Sequence, residues 1–326
     1  MLPEHLIAAK NIARERLLGV PLAGAASLER EGFAAGRNIL GVGIGSKFTM
    51  GMVLAGQSAI RVYVRIKMPE RELPRRERVP PQIEGVPTDV IEVGDVKANQ
   101  AIKTWQRFSR NRPAWGGVSI GHPQVTAGTL GCLVEDEQGE RFILGNNHIL
   151  ADENNAHLND PILQPAVADG GCLPGDEIAR LAAFKPLDFS GGANDIDAAI
   201  ARVNPKMVDP NIVDIGRPNT SARPAVQYLS VRKHGRSTGH TVGIVEDTSA
   251  DIWIQYRDNK RAWFEEQIVV RGVGNRDFAR SGDSGALVVD AVTAQPVGLL
   301  FAVGNELVYI NPVDLVLSYF GMRIVG

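Results

Sequence analysis

"ARSGDSGALVVD", residues 279–290, passes from a turn of Gly, Ser and Asp into a strand of Leu and Val. Its reading decides the fold. Gly, Ser and Asp are what turns are made of, so Ser284 can be one more polar turn residue. A serine hydroxyl is also a weak nucleophile until a base removes its proton. The stretch carries chemistry only if the chain supplies a histidine and a carboxylate elsewhere.

His148 is the candidate base. It lies in "RFILGNNHILAD" (141–152), where a strand runs into Asn-Asn and a helical turn begins. A rigid strand end delivers such a ring to a fixed place. His122, His157, His234 and His240 show no zinc-ligand spacing and read as structural or surface residues. Between His148 and Ser284, "GGANDIDAAIARVNP" (191–205) offers Asp195 and Asp197. If Asp197 begins a strand, Ala199 and Ala201 share its face and leave room for an imidazole. Choosing Asp195 would leave Asp197 on that inward face as an unpaired charge, so Asp197 is preferred. Either acid also fits an Asx-type turn.

The chain of 326 residues is 44% hydrophobic and 22% charged, as in ordinary globular proteins, and its length suits about two domains. A net charge of -2 gives no reason to expect nucleic acid or an anionic membrane as partner. No apolar run approaches the roughly twenty residues that cross a bilayer. "MLPEHLIAAKNIARERLLGV" (1–20) lacks the form of a secretory signal and reads as an amphipathic helix with Leu2, Leu6, Ala9, Ala13 and Leu17 on one face. Two cysteines, Cys132 and Cys172, are too few for a disulfide framework. Both are expected as buried free thiols, in a cytoplasmic protein.

Residues 1–28 are assigned to that helix and 29–100 to a small α+β unit. The unit has strands in "NILGVGIG" (38–45), "AIRVYVRIK" (59–67) and "TDVIEVGDV" (88–96) around a proline- and arginine-rich segment that can be neither a strand nor a long helix. Gly41, Gly43 and Gly45 fit neither the dinucleotide fingerprint nor a P-loop and mark a glycine-rich strand. Residues 101–115, with Lys103, Arg107, Arg110 and Arg112, read as a solvated linker or short surface helix. From residue 116 to 326 short strands follow one another with glycine turns, such as "EQGE" (137–140), and argue for an all-β barrel or sandwich, here two small barrels in sequence. "NPVDLVLSYFG" (311–321) reads as a closing helix with Asn311 as N-cap, Pro312 in the first turn and Gly321 past the end.

"NNHIL" (146–150), "DIDAAIARV" (195–203) and "SGDSGALVV" (281–289) resemble, in that order, the His, Asp and Ser motifs of trypsin-like serine proteases. The likeness covers about residues 115–326, and a chance G-D-S-G in a chain this long is expected only about one per cent of the time. The "NNHIL" form and the missing disulfides resemble bacterial and intracellular members. "IRVYVRIKMPERELP" (60–74) and "VPTDVIEVG" (86–94) are similar to bacterial trypsin-like proteins related to the plant NARROW LEAF family.

The resemblance implies a mainly β fold of two consecutive six-stranded-type β-barrels, chymotrypsin-like, behind the N-terminal α+β unit. It implies a serine endopeptidase in which His148 deprotonates Ser284 and Asp197 orients the imidazole. The amides of Gly282 and Ser284 would face the oxyanion, and Asp283 would anchor the loop through a partner the sequence does not reveal. Phe278, six residues before the nucleophile, would sit at the pocket base, where it offers no acid for a basic side chain. Phe301 and Val303, in the strand "LLFAVG" (299–304) expected to pair with substrate, replace a small polar residue and a glycine. A shallow pocket for small or medium apolar side chains follows. The expected partner is a protein or peptide substrate, with no cofactor, no metal, and homo-oligomerisation left open. The N-terminal unit would recruit, restrain or oligomerise the enzyme. A non-cleaving scaffold, with Phe301 and Val303 obstructing substrate, and a serine esterase are the competing readings.

Overall fold

A computed structural model describes residues 2–20, 38–49, 52–94, 96–98, 107–274 and 276–326. The first barrel is built on the order Pro161–Leu163, Glu177–Phe184, Ala199–Val203, Arg141–Gly145, Leu133–Glu135 and Arg323–Ile324. Its "EQGE" hairpin closes because the Asp136 carboxylate accepts the Gln138 and Glu140 amides at 3.0 and 2.8 Å. Gly139 takes the left-handed conformation there, at φ +79°. Leu133, Ile143, Leu150, Ile162, Leu181 and Ala201 fill the interior.

In the second barrel, Arg261–Gly272 pairs with Leu307–Pro312, then Pro296–Val303, Leu287–Asp290, Ser230–Gly235 and Gly239–Gln255. The last of these pairs back with Arg261–Gly272, so six antiparallel strands close without a free edge. Val231, Val245, Val270, Val288, Leu300 and Ile310 point inward. The fold is therefore mainly β, a chymotrypsin-like pair of barrels.

Gly239–Gln255 is seventeen residues long, more than barrel closure uses. Its far half pairs with Ile39–Thr49, placing Gly41 opposite Ile252 and Gly45 opposite Asp247. Met52–Val64 and Val86–Glu92 continue the same sheet outward. The strands of the N-terminal unit thus extend the sheet of the second barrel rather than forming a sheet of their own. Glycine at 43 permits this approach, since a Cβ there would collide with the Asp247 carboxylate. The proline-arginine segment forms two single 3-10 turns, Glu70–Glu72 and Arg75–Glu77, each introduced by a proline.

The N-terminal helix, Glu4–Ala13, continues as a wider turn over Arg14–Leu18. Leu6, Ala9, Ala13 and Leu17 are buried against Ile39, Val42 and Val62, which is the apolar face read from the sequence. Lys10 is buried on that face as well. Its ammonium lies 3.3 Å from Asp251 and 2.5 Å from Glu266. Burial alone would lower its pKa, but the two carboxylates outweigh that and raise it. Burial pushes Asp251 up to about 6, leaving it ionised at neutral pH beside Lys10. Removing one partner of a buried pair strands the other. Lys10→Met is therefore expected to lower stability by about 3 kcal/mol, the low end of that penalty, because Arg14 remains 3.7 Å from Asp251. A denaturant midpoint measures the loss, and Lys10→Met with Asp251→Asn should recover most of it.

Three expectations change. Asn311 does not cap the closing helix: Pro312 precedes Val313–Phe320, and Asn311 is buried in the preceding strand, where its side chain has work to do near Asp197. Gly321 does end that helix, at φ +64°. Cys132 is buried, and burial pushes its thiol up to about 12, but Cys172 is exposed in the turn before Glu177–Phe184. Arg107 and Arg112 are partly buried rather than fully solvated. Arg107 donates to the Arg236 and Ser237 carbonyls at 2.9 and 3.0 Å, and Arg112 to that of Gln164 at 3.0 Å. Residues 21–28 of the expected helical region and Lys103 lie outside the described residues.

Candidate active site

Strand Arg141–Gly145 ends at Asn146, and His148 follows in the single helical turn Asn147–Leu150. The turn is fixed from both sides. Asn147 donates to Asn154 Oδ1 and to the Lys185 carbonyl at 2.7 Å each, and Asn146 Nδ2 donates to the Asp197 carbonyl at 2.7 Å. His148 Nδ1 then lies 2.5 Å from Asp197 Oδ2, and the His148 amide donates to Oδ1 at 3.2 Å. Asp197 stands two residues before the strand Ala199–Val203 and is fully buried. Asp195 is half exposed and pairs with Lys185 at 3.3 Å. Of the two acids, Asp197 is the one hydrogen-bonded to His148.

Two further side chains hold Asp197, and sequence reading found neither. Tyr256 Oη donates to Oδ2 at 2.8 Å. Burial, reinforced by the Asp197 anion, drives the Tyr256 phenol well above its ordinary pKa, so it remains a donor. Asn311 Oδ1 accepts the Asp197 amide at 3.0 Å, and its Nδ2 donates to Gln267 at 2.6 Å. Tyr256 reaches Asp197 from the tip of the long hairpin. The alternation Ile252, Ile254, Tyr256 already places that ring inward.

Ser284 is fully buried. The Thr129 amide donates to the Ser284 carbonyl at 2.8 Å, and Thr129 Oγ1 to that of Gly282 at 2.7 Å. A Cβ built on the next residue, Gly285, would lie 3.7 Å from the Gly145 Cα, so the serine loop passes near the end of the strand that leads to His148. The Ser284 hydroxyl donates to the Phe301 carbonyl at 3.4 Å, while His148 Nε2, also buried, has no hydrogen-bond partner among the described residues. Gly282 adopts φ +93°, which a side chain would resist. Neither the Gly282 nor the Ser284 amide donates to an acceptor among the described residues.

The anchor of Asp283 is Lys233. Its ammonium lies 3.2 Å from Asp283 Oδ2, with both side chains wholly buried. Thr238 Oγ1 donates to the same oxygen at 2.6 Å and the Arg280 amide at 3.0 Å, while the Ser237 amide donates to Oδ1 at 2.8 Å. Val231, Lys233 and Gly235 share one strand face, so an inward lysine was legible as a residue in need of an anion.

The expected pocket residues separate. Phe278 is buried in the second barrel's core with Val231 and Val270, and Val303 packs against the same cluster. Phe301 turns to a different cluster, its ring 4.7 Å from that of Phe264 and close to Tyr256 and Leu187. Of the other histidines, His122 and His234 are buried beside Asp160 and Asp214 at 3.3 and 3.1 Å, and His157 and His240 are exposed. Among the described residues no cluster of His, Cys, Asp or Glu could hold a metal, and no helix is long and apolar enough to cross a membrane.

No family model matches the chain. A curated relative, Protein NARROW LEAF 1 of Oryza sativa subsp. japonica, is 26% identical over 304 residues, which cover 80% of this chain. The chain spans about half the length of that relative, 50% of it being matched. Among solved structures, Thermobifida fusca protease A is 15% identical with a TM-score of 0.45, covering 65% of this chain and 99% of that one. A glutamic acid-specific serine protease is 17% identical with a TM-score of 0.46, covering 65% and 100%. Cellulomonas bogoriensis chymotrypsin is 16% identical with a TM-score of 0.44, covering 65% and 98%. The double-barrel assignment stands on the strand pairings rather than on these likenesses. The comparisons return the same two resemblances that the motifs suggested, chymotrypsin-fold serine proteases and NARROW LEAF.

Proposed function

We propose that the chain is a serine endopeptidase that works through an acyl-enzyme on Ser284. The observation that carries this reading is the buried His148–Asp197 pair with its free Nε2, three residues past Gly145, the strand end that the Ser284 loop passes at Gly285. Asp197 accepts from Nδ1–H, which leaves the lone pair on Nε2, the tautomer a general base needs. Rotation of the Ser284 hydroxyl away from the Phe301 carbonyl would direct its proton to that nitrogen. The bond formed is Ser284 Oγ to the substrate carbonyl carbon. The proton held on Nε2 then passes to the departing amine as the C–N bond breaks, and water repeats the sequence to release the acid.

The Gly282 and Ser284 amides would receive the oxyanion, each donor being worth about 3 kcal/mol in a site that excludes water. Asp283 would keep that loop in place through Lys233. The chemistry calls for no cofactor.

A fluorophosphonate probe tests the assignment, since it reacts only with an activated serine. Wild type is expected to label, and Ser284→Ala and His148→Ala to lose the label. Persistent labelling of Ser284→Ala, or none in wild type, would remove the nucleophile. Faster turnover of an ester than of the matching peptide would move the assignment to an esterase.

A further inference from the structure

Strand Pro296–Val303 is paired along one edge with Leu307–Pro312 from Gly298 to Val303. Its other edge is paired with Leu287–Asp290 only at the start, and the ladder runs on through Ala286 and Gly285 to Leu300. There that partner chain turns away, at Ser284 and the Phe301 carbonyl. The edge beyond it is the place where an extended peptide would add as a strand beside the nucleophile.

That edge is taken by the chain's own residues. Lys97 and Ala98 pair antiparallel with it, opposite Val303 and Ala302. The run from Lys97 to Ala98 therefore advances along the edge toward Phe301 and Ser284, the direction in which the acyl half of a substrate must enter. Lys97 also lies in parallel pairing opposite Gln255, whose amide donates to the Val96 carbonyl at 3.1 Å. The Asn305 amide donates to the Val93 carbonyl at 3.2 Å. Val93 and Val96 are buried in one cluster with Leu187, Tyr256 and Phe301. These include the phenol that holds Asp197 and the residue whose carbonyl takes the Ser284 hydroxyl. Gly304 eases the approach of the segment, since a Cβ there would lie a tight 3.2 Å from the Val93 carbonyl oxygen.

We infer that Val93 and residues 96–98 are a built-in ligand of the substrate-binding edge, so that the folded chain is latent and its substrates are extended peptides that displace this segment. The apolar cleft now filled by Val93 and Val96 selects peptides with small β-branched side chains three residues apart. The inference rests on the proposed function for its catalytic consequence, but the occupancy of the edge is independent of it.

The test uses full-length chains and a fluorescent peptide, EVGDVKA, copied from residues 92–98. Val96→Asp places a charge in the apolar cleft and should expel the segment, and Val96→Ala should loosen it without a charge. Anisotropy is expected to detect no saturable binding to wild type, binding to Val96→Asp, and weaker binding to Val96→Ala. Turnover of a peptide substrate should rise by about tenfold or more in Val96→Asp, because apparent affinity scales with the open fraction. Equal peptide binding by wild type and a folded variant would overturn the inference. Should Val96→Asp fail to fold, Val96→Ala alone decides by the same criterion. Peptide binding without fluorophosphonate labelling would leave the built-in ligand standing and remove the enzyme.

Discussion

Asp197→Asn is expected to lower kcat for peptide hydrolysis by about four orders of magnitude, with the fold intact. The size follows from what surrounds the carboxylate. Every polar neighbour of Oδ1 and Oδ2 is a donor: His148 Nδ1, the His148 amide and the Tyr256 hydroxyl. An asparagine of the same shape offers one oxygen and one NH2 group. If the NH2 faces Nδ1, that nitrogen must accept, the ring proton moves to Nε2, and the base is lost. If the oxygen faces Nδ1, the NH2 meets the His148 amide, two donors confronting each other in a buried site. Either way the imidazolium formed during reaction loses its anion. Tyr256→Phe removes one neutral donor and leaves the carboxylate, so its loss should be far smaller. Both variants are compared with wild type in kcat and in the rate of fluorophosphonate labelling, with the thermal midpoint as control. A kcat for Asp197→Asn within tenfold of wild type would mean that Asp197 is structural.

What the sequence made legible was local. "SGDSGALVV" and "RFILGNNHIL" each join an alternating apolar strand to a polar turn, and such patterns are set by neighbours a few residues apart. That Asp197 rather than Asp195 turns inward was readable for the same reason, from the small residues that follow it on the same face. Tyr256, Lys233 and Asn311 were missed as site residues because their partners are 59, 50 and 114 positions away along the chain. Periodicity could say that Tyr256 and Lys233 point inward, but not toward what. Asn311 misled for a different reason. Asn-Pro before an apolar run is a helix start in isolation, whereas here the strand Leu307–Pro312 runs through it and its amide serves Asp197. The pairing of residues 97 and 98 with Ala302 and Val303 was beyond any pattern, since no short-range signal in "VGDVKA" names that edge.

Lys233→Met is expected to cost about 3–5 kcal/mol of stability and to abolish most activity, because it strands a buried anion. Asp283 would keep the Thr238 hydroxyl and the Ser237, Thr238 and Arg280 amides as neutral donors, but no cation. The loop then has reason to turn Asp283 toward water, and Gly282 and Ser284 turn with it. Stability and rate can be separated. Lys233→Met with Asp283→Asn removes both charges and should recover most of the stability, as paired removal does elsewhere. It should not recover the rate, because the charge attraction that orients the Gly282 amide is gone. The pH dependence has a definite sign. Burial lowers the Lys233 pKa below the ordinary 10.5, with Asp283 offsetting part of the shift. Between that lowered value and 10.5 the folded state binds fewer protons than the unfolded one, so this group's contribution to stability grows as pH rises. Activity should move the other way, since a neutral Lys233 releases Asp283. An alkaline loss of labelling rate without a fall in thermal midpoint is the expected signature. Lys233→Arg, which stays charged, should carry that loss to higher pH. If both curves fall together, or if arginine leaves the activity limb unmoved, the Lys233–Asp283 pair does not control the oxyanion loop.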